Sequence, residues 1–312
     1  MARIKVAVIG IGKIAVDQHL PVIAGNPDFE LVGVVSQRGV GPKGAPIFRD
    51  AATLYRSLDV DAVALCTPPH VRHALAREAL AAGKHVMLEK PPAATLAEMH
   101  DLTEAARTAN CVILATWHSR YNPAVDAAKE KLAGQRLRRL HIEWKEDARR
   151  WHPGQEWIWD AGNCGVFDPG INALSILTKI APAPMFVKSA NLFYPENRDT
   201  PIAATLAFRS TAATPDAPLT AEFDWRQEGE QSWNIDVETE AGLKLRLTQG
   251  GSRLLVDGVA SVEAPMREYE GIYQHFAALL ERGESEMDGR PFQLVGDAFL
   301  VGARKTVAPF HW

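Results

Sequence analysis

The sequence predicts an α/β protein with two parts: a doubly wound parallel sheet, then an α+β domain with an open, mostly antiparallel sheet. Three observations support this prediction. A β-branched strand near the start runs into a glycine-rich turn. Strand and helix patterns then alternate at short spacing to about residue 120, which is typical of a parallel sheet. Later segments alternate apolar and polar residues, as in strands with one buried and one free face.

Length and composition exclude several classes of protein. The 312 residues are enough for two hydrophobic cores. The 34 basic and 38 acidic residues are well mixed, so we expect no nucleic-acid or membrane partner. No apolar run approaches the roughly 18–20 residues that span a bilayer. The stretch Met1–Val6 enters a strand pattern directly, and Cys66, Cys111 and Cys164 show no metal or redox spacing. We therefore expect a cytoplasmic protein without a metal site.

The strand Ile4–Ile9 ends in a GxGxxA turn that opens a helix, Gly10-Ile11-Gly12-Lys13-Ile14-Ala15. Between a strand and a helix, such glycines let the backbone approach a pyrophosphate, which the helix N-terminus then faces. We therefore predict a dinucleotide-binding Rossmann domain over residues 1–120. Its expected contacts in this turn are Gly10, Gly12, Lys13 and Ile14. Pro21 predicts a kink or break in the helix near His19-Leu20.

The next strand, Phe29–Val35, ends in Ser36-Gln37-Arg38. An NAD-binding domain usually carries an acid here for the ribose 2′-hydroxyl, and this chain has none. A hydroxyl and a guanidinium instead suit a 2′-phosphate, so Ser36, Gln37 and Arg38 predict a preference for NADP over NAD. The alternative is that Arg38 lies in a solvated loop, because a glycine-rich segment follows it.

Strands and helices continue to alternate after this point. The predicted elements are a helix from Asp50 to about Leu58, a strand 61–66, a helix 70–82, a helix from the capping box Thr95–Glu98 to about Ala109, and a strand 111–116. Thr67, Pro68 and His70 follow the strand 61–66. We expect them to form one wall of the cofactor cleft.

A short apolar strand, His85–Leu88, delivers Glu89 and Lys90 against Pro91. Lysine is rarely buried, yet Lys90 falls at the carboxyl end of a strand, where open α/β sheets bind their ligands. Pro91 fixes the direction in which the chain leaves the strand, and the Lys90-Pro91 bond is a candidate cis peptide. The alternative is an ordinary surface lysine at a strand end.

These motifs give the chain a resemblance to a known family over essentially its whole length. It resembles the oxidoreductases named for glucose-fructose oxidoreductase, inositol dehydrogenase and the rhizopine-catabolism protein (Gfo/Idh/MocA). The residues that carry the resemblance are Gly10–Ala15, Thr67–His70 and Glu89–Pro91. Within the family, the chain resembles the bacterial L-arabinose and D-galactose 1-dehydrogenases at Gly12–Ala15 with Asp17–Pro21, at Trp144–Asp147 with Arg149–Gln155, and at Gly165–Ile176. The resemblance places Glu89 and Lys90 at the cofactor and makes Lys90 and Asp168 the catalytic pair.

Residues 121–312 are predicted to form a substrate-binding and oligomerisation domain, whose last helix can pack back on the first domain. A linking helix runs from Asn122 to about Leu132. Strand-like segments then follow at 137–145, 186–194, 202–209, 219–226, 231–239, 243–248 and 252–256, and helices near 268–282 and 291–304. The free face of this sheet is the expected homodimer surface, as the resemblance also implies. A solvated face on a monomer is the alternative.

Asp168 and Asn172 lie four residues apart, so on a helix both point to the same side. An alternative for Asp168 is a helix N-cap before Pro169. Many relatives in the family carry a histidine where this chain has Asn172, so more of the proton chemistry would fall on Lys90 and Asp168. The remaining candidates for binding sugar hydroxyls are His118, Glu146 and His152. Trp151, Trp157 and Trp159 are stacking candidates or buried core residues.

The resemblance implies an aldose 1-dehydrogenase that oxidises C1 of L-arabinose or D-galactose to a lactone and transfers hydride to NADP or NAD. Lys90 would hydrogen-bond the C1 oxygen, and Asp168 would accept the proton or fix the protonation state of the lysine. Two alternatives belong to other classes. One is an NAD-dependent glycosidase of the same fold, and the other is a non-catalytic cofactor-binding regulator.

Overall fold

The computed structural model describes residues 3–312, and the chain divides into two units. The first unit comprises the chain through Trp117 together with Glu268–Gly289, and the second comprises His118–Arg267 together with Arg290–Trp312. The helix that rejoins the first unit is therefore the one before the last. Met1 and Ala2, where the predicted N-terminal strand pattern begins, lie outside the described residues.

The first unit is built on a six-stranded parallel sheet, which confirms the predicted Rossmann fold. The strands are β1 (Ile4–Ile9), β2 (Phe29–Val35), β3 (Ile47–Phe48), β4 (Ala62–Leu65), β5 (His85–Leu88) and β6 (Ile113–Ala115). Their order in the sheet is β3-β2-β1-β4-β5-β6. The order reverses between β1 and β4, and in such sheets ligands bind beyond the carboxyl ends of the strands at this point.

Helices cover this sheet, and most of their predicted ends agree with the structure. They are α1 (Leu20–Gly25), α2 (Ala51–Ser57), α3 (Pro69–Ala81) and α4 (Leu96–Ala109), with α8 (Glu268–Arg282) from the later segment. The Asp50 carboxylate accepts the backbone N–H of Thr53 at 2.7 Å and so caps α2 as predicted. The chain stays helical at the predicted kink or break near His19-Leu20: a π-helical turn, Ala15–His19, continues into α1, with Pro21 in the first turn of α1.

The second unit contains a nine-stranded sheet in the order β14-β13-β12-β11-β7-β10-β9-β8-β15. The pairs β7–β10 and β8–β15 are parallel and the others antiparallel, so the sheet is mixed and mostly antiparallel, as predicted. Its strands are β7 (Leu137–Lys145), β8 (Met185–Pro195), β9 (Ala203–Ser210), β10 (Leu219–Asp224), β11 (Ser232–Thr239), β12 (Lys244–Thr248), β13 (Arg253–Val256), β14 (Val259–Glu263) and β15 (Gly302–Val307).

The remaining helices belong to the second unit. They are α5 (Val125–Leu132), α6 (Ala148–Trp151), α7 (Phe167–Ile180) and α9 (Arg290–Val301), with short 3₁₀ turns at His118–Tyr121, Glu156–Trp159 and Gln249–Gly251. Burial alternates along β7, β10 and β11, so one face of the sheet is packed and the other is more open. The open face carries ion pairs such as Lys145 with Glu222 at 2.9 Å and Arg246 with Asp236 at 3.5 Å.

Two sequence predictions in this unit are wrong. The helix predicted to reach residue 304 ends at Val301, and Gly302–Val307 instead pairs with β8 as a parallel strand. Strand β14, Val259–Glu263, was not predicted, because its residues are mostly exposed and lack a buried apolar row. Among residues 3–312, no helix combines the length and apolar character needed to cross a bilayer.

Candidate active site

The turn after β1 has the shape that a dinucleotide pyrophosphate requires. Gly10 has φ +93°, and a Cβ atom there would lie 2.8 Å from Cγ2 of Thr67, so a side chain is excluded on two grounds. A Cβ built on Gly12 meets no atom within 4 Å, which leaves that stretch of backbone open to a ligand. Ala15 is fully buried where the helix packs on the strand. The turn, with Lys13 and Ile14, therefore fits the phosphates of a nicotinamide dinucleotide.

The end of β2 brings Arg38 to the same turn. Nη2 of Arg38 donates to the carbonyl of Ile11 at 2.9 Å. The Ser36 hydroxyl is buried and accepts the backbone N–H of Val40 at 3.2 Å. The carbonyl of Gln37 accepts a hydrogen bond from Arg49, a residue that the sequence pattern did not identify. A hydroxyl and two guanidinium groups thus surround the segment that normally contacts the adenosine ribose.

A buried arginine, Arg72 on α3, holds the segment that carries Lys90. Its guanidinium donates to the carbonyls of Glu89, Pro91 and Thr67. The Lys90-Pro91 peptide bond is cis, as the sequence suggested. Arg72 therefore fastens the backbone on both sides of Lys90 to the end of β4. Thr67, Pro68 and His70 lie at that end, with Pro68 and His70 exposed.

On its other side, Lys90 is fixed by the carboxylate of Glu89. Oε2 of Glu89 accepts the backbone N–H of Lys90 at 3.0 Å. Oε1 accepts the Tyr269 hydroxyl at 2.7 Å and lies 2.9 Å from Nε2 of His19. Nδ1 of His19 is 2.9 Å from the hydroxyl of Tyr273. His19 and Glu89 are almost completely buried, with side chains 1% and 5% exposed. The Glu89 carboxylate thus belongs to a buried polar network with His19, from the turn Ala15–His19, and with Tyr269 and Tyr273, from α8.

The pKa values in this network keep its donors protonated. Burial lowers the pKa of His19, but Cys66 and Tyr273 beside the ring and a hydrogen bond to Glu89 outweigh it and raise that pKa well above its usual range. Burial, and then the Glu89 charge, raise the pKa of the Tyr269 phenol well above its usual range. Burial also raises the pKa of Tyr273 to about 12. The direction of the His19 shift favours a protonated ring beside the Glu89 carboxylate, 2.9 Å away.

In the second unit, α7 presents two of the predicted site residues on one face. Every residue of α7 is buried except Asp168, Asn172 and Lys179, and the first two are one helical turn apart. The helix starts where Gly165, at φ +53°, brings its backbone against Pro201, so close that a Cβ would lie 2.4 Å from the Pro201 carbonyl. The N-cap of α7 is Val166, so the alternative of Asp168 as the N-cap is wrong.

His152 faces Asp168. Nε2 of His152 lies 3.4 Å from Oδ2 of Asp168, and the two side chains are 20% and 25% exposed. Nδ1 of the same ring is 3.4 Å from Oε1 of Gln155. The ring also packs on the fully buried Trp225, with centroids 5.2 Å apart. A partly exposed histidine–carboxylate pair therefore lies at the start of α7.

Glu146 lies at the end of β7 and is also buried. Its two oxygens accept indole N–H groups, Oε1 from Trp225 at 3.2 Å and Oε2 from Trp233 at 3.0 Å. These bonds fix the orientation of the carboxylate. The sequence identified Glu146 but missed both tryptophans, because nothing local links them to it. His118 begins the 3₁₀ turn before α5, where Nδ1 is 3.3 Å from the Ser119 hydroxyl.

The predicted residues thus fall into two groups. The first unit gathers the cofactor residues and Lys90, and the second brings together Asp168, His152 and, through Trp225, Glu146. Asn172 shares the exposed face of α7 with Asp168. Across residues 3–312, no group of three or more His, Cys, Asp or Glu side chains is arranged to hold a metal ion.

Comparison with known proteins defines the class to which this fold and site belong. The model of the oxidoreductase family with an NAD-binding Rossmann fold, Gfo/Idh/MocA, matches residues 4–116. The galactose 1-dehydrogenase of Pseudomonas fluorescens is 44% identical over 316 residues, covering all of both chains. The chain therefore belongs to the Gfo/Idh/MocA family of oxidoreductases.

Solved structures give a consistent result. A D-galactose-1-dehydrogenase protein from Rhizobium etli superposes with a TM-score of 0.94 and 48% identity, over 100% of this chain and 99% of that one. A 3-ketoreductase from Actinomadura kijaniata, solved with TDP-benzene and NADP, has a TM-score of 0.79 at 18% identity, over 98% of this chain and 100% of that one. The second likeness concerns the fold alone.

Proposed function

We propose that this protein is an aldose 1-dehydrogenase that oxidises C1 of D-galactose and L-arabinose, in their pyranose forms, to the lactone. The observation that carries the proposal is the 44% identity to a galactose 1-dehydrogenase over the whole of both chains. The site residues support it chemically. A lysine held rigidly at the end of a Rossmann strand and a carboxylate on an otherwise buried helix are groups that can manage the proton of a sugar hydroxyl.

In this proposal, NADP, when bound, supplies the acceptor for the hydride that leaves C1. Lys90 hydrogen-bonds the C1 oxygen, and the hydroxyl proton leaves as that oxygen becomes a carbonyl. Asp168 either takes this proton or sets the protonation state of Lys90. His118, Glu146, His152 and Asn172 bind the other hydroxyls, and the indole bonds to Glu146 fix where its oxygens point.

The test is a panel of aldoses assayed with NADP and with NAD, following the absorbance of the reduced nicotinamide. D-Galactose and L-arabinose share their configuration from C2 to C4, including an axial C4 hydroxyl. D-Glucose differs at C4, so a site that hydrogen-bonds the axial hydroxyl is left with unpaired polar groups and discriminates against it. We expect both predicted sugars to be oxidised and glucose to be a poor substrate. Similar kcat/KM values for glucose and galactose would contradict this specificity.

We also propose that NADP is the preferred cofactor. Arg38 donates to the carbonyl of Ile11 in the glycine-rich turn, Ser36 carries a hydroxyl at the end of β2, and no acid is present there. In Arg38→Ala, the affinity for NADP should fall roughly 10–100-fold, the range expected for losing charge-assisted bonds to a phosphate, while NAD should lose much less. Direct titration measures both, with the exposed Arg56→Ala in α2 as the control. Equal losses for the two cofactors would refute the preference.

For the open face of the second sheet, we propose that a second copy of the chain covers it. The face is half-buried and carries charged side chains that pair with one another within the chain. If such charges also pair across the interface, salt screens them, so the dimer should weaken as salt concentration increases. Sedimentation of the protein at low and high salt tests this. A monomer at all salt and protein concentrations would contradict it.

A further inference from the structure

The segment after β15, Phe310–Trp312, contacts the loop that carries His152, although neither its sequence nor the proposed function gives it a role. The side chain of Asn197 forms two hydrogen bonds with the backbone of Phe310: Nδ2 donates to the carbonyl, and Oδ1 accepts the N–H, both at 2.9 Å. Phe310 is only 4% exposed. The segment is therefore seated by defined bonds.

The first attachment to the loop is through α6. Nη2 of Arg149 donates to the carbonyl of His311 at 2.9 Å. The same guanidinium lies over the ring of Phe310, 4.5 Å from its centroid. His152 follows directly on α6, and its backbone N–H donates to the carbonyl of Ala148 at 2.8 Å. Holding Arg149 in place therefore fixes the helix from which His152 projects.

The second attachment is at the 3₁₀ turn Glu156–Trp159. Nε1 of Trp312 donates to Oε1 of Glu156, whose other oxygen pairs with Arg198 at 2.5 Å. These hydrogen bonds, the Arg198 bond first, lower the pKa of Glu156 and favour its ionised form as an acceptor. The rings of Phe310 and Trp312 also pack on Trp159, with centroids 5.0 and 6.2 Å away.

His152 lies between these two attachments, on the short stretch 152–155. Behind it, a column of rings continues from Phe310 through the buried Trp159 to Trp225, at 5.0 and 5.2 Å, and the His152 ring packs on Trp225. The residue that faces Asp168 is therefore held at both ends and supported from behind. All these contacts lie within the second unit.

We propose that Phe310 and Trp312 are positioning residues for the sugar site: they hold the loop 147–160 so that His152 stays against Asp168. This inference rests on the proposed function, because it assumes that His152 and Asp168 contact the sugar. Without the ring of Phe310, Trp159 loses its outer stacking partner, and the Arg149 guanidinium loses the ring over which it lies. His152 should then sample other positions, and the sugar should bind less well.

The experiment compares Phe310→Ala, Trp312→Ala and Phe310→Tyr with the parent. In the two alanine variants we expect the sugar KM to rise roughly tenfold, since small misplacements of contacting groups are costly, with kcat changed less and NADP affinity unchanged. Phe310→Tyr keeps the ring and should restore the parent KM. Phe186→Ala is the matched control, because it removes an exposed ring that also has an arginine, Arg209, over it.

A merely structural role would lower the folded fraction, and hence the apparent kcat, and leave KM unchanged. Sugar KM values within twofold of the parent in both alanine variants would therefore overturn the inference. If Phe310→Ala does not fold, Asn197→Ala loosens the same segment with the rings intact and should show a smaller rise in KM.

Hydrogen exchange of residues 147–160 separates failure of this inference from failure of the proposed function. Amide exchange in residues 147–160 should be faster in Phe310→Ala than in Phe186→Ala, and this measurement does not depend on which sugar the protein oxidises. A parent that oxidises no aldose would refute the proposed function, and the exchange result then decides the positioning role. Unchanged exchange would overturn it.

Discussion

In each unit, one candidate site carboxylate lies next to a histidine, and these two pairs differ in burial. His19 and Glu89 are 2.9 Å apart with side chains at most 5% exposed, whereas His152 and Asp168 are 3.4 Å apart and 20–25% exposed. A buried carboxylate that accepts several hydrogen bonds is held rigidly, because breaking those bonds leaves a charge without water. A partly exposed pair can exchange protons with solvent. The first pair is therefore suited to holding the backbone at Lys90, and the second is suited to proton transfer.

The difference assigns distinct tasks to the candidate catalytic groups. Lys90 is held from one side by Glu89 and from the other by Arg72, so its position is set by groups that need not touch the substrate. Asp168 lies in the first turn of α7, on the less buried face of that helix, and has the partly exposed His152 as a neighbour. Substitutions in the network that holds Lys90 and substitutions at Asp168 should therefore affect stability and turnover differently.

The largest effect is expected for Lys90→Met, which keeps the side-chain length and removes the ammonium group. Turnover should fall by about 10²–10⁴-fold, as for a positioned acid–base group. NADP affinity, measured by titration, should change little, since the phosphates are expected to bind at the Gly10–Ala15 turn. Lys188→Met, an exposed lysine in the other unit, is the control. Turnover within a few-fold of the parent would make Lys90 a structural residue.

Asp168→Asn should be nearly as severe, because it keeps the shape of the side chain and removes the charge. We expect a loss in turnover of roughly 10²-fold or more. If Asp168 and Lys90 act as one unit, the losses should not multiply in the double variant. A double-mutant cycle in kcat, with a pH–rate profile for each variant, measures this. Losses that multiply fully would mean that the two groups act independently.

Glu89→Gln tests the rigid arrangement and should have an intermediate effect. The amide replaces a charged acceptor beside His19, so we expect the free energy of unfolding to fall by about 1–3 kcal/mol. Turnover should fall roughly tenfold through displacement of Lys90, with less change in sugar KM. Tyr269→Phe removes one donor to the same oxygen and should show a weaker form of both effects. If Glu89→Gln lowers the free energy of unfolding but leaves turnover normal, the network stabilises the fold and does not position Lys90 for catalysis.

The sequence was sufficient for the features that depend on local pattern. Residues 137–145 and 268–282 form the predicted elements with the predicted ends, and the glycine-rich turn Gly10–Ala15 follows β1 as predicted. The supporting groups depend on distant partners. Tyr269 is 180 positions from Glu89, and Arg72 binds carbonyl oxygens, which are the same in every residue. No local pattern distinguishes these two from an ordinary core tyrosine or a surface arginine.

The smallest expected effect is on the pH dependence of the free energy of unfolding, and it tests whether His19 is protonated in the folded protein. The folded-state pKa of His19 is raised, so above the ordinary histidine value of about 6.5 the folded protein keeps a proton that the unfolded chain loses. Its contribution to stability is complete below that pH and is lost as pH rises through the raised pKa, by up to about 1.4 kcal/mol per pH unit. Urea unfolding of the parent and of His19→Asn from pH 6 upward, roughly to pH 9, measures the slope. We expect a flatter decline of stability with pH in His19→Asn than in the parent. Parallel curves for the parent and His19→Asn would mean that His19 is neutral in the folded protein, and the buried pair would then be a neutral hydrogen bond to Glu89.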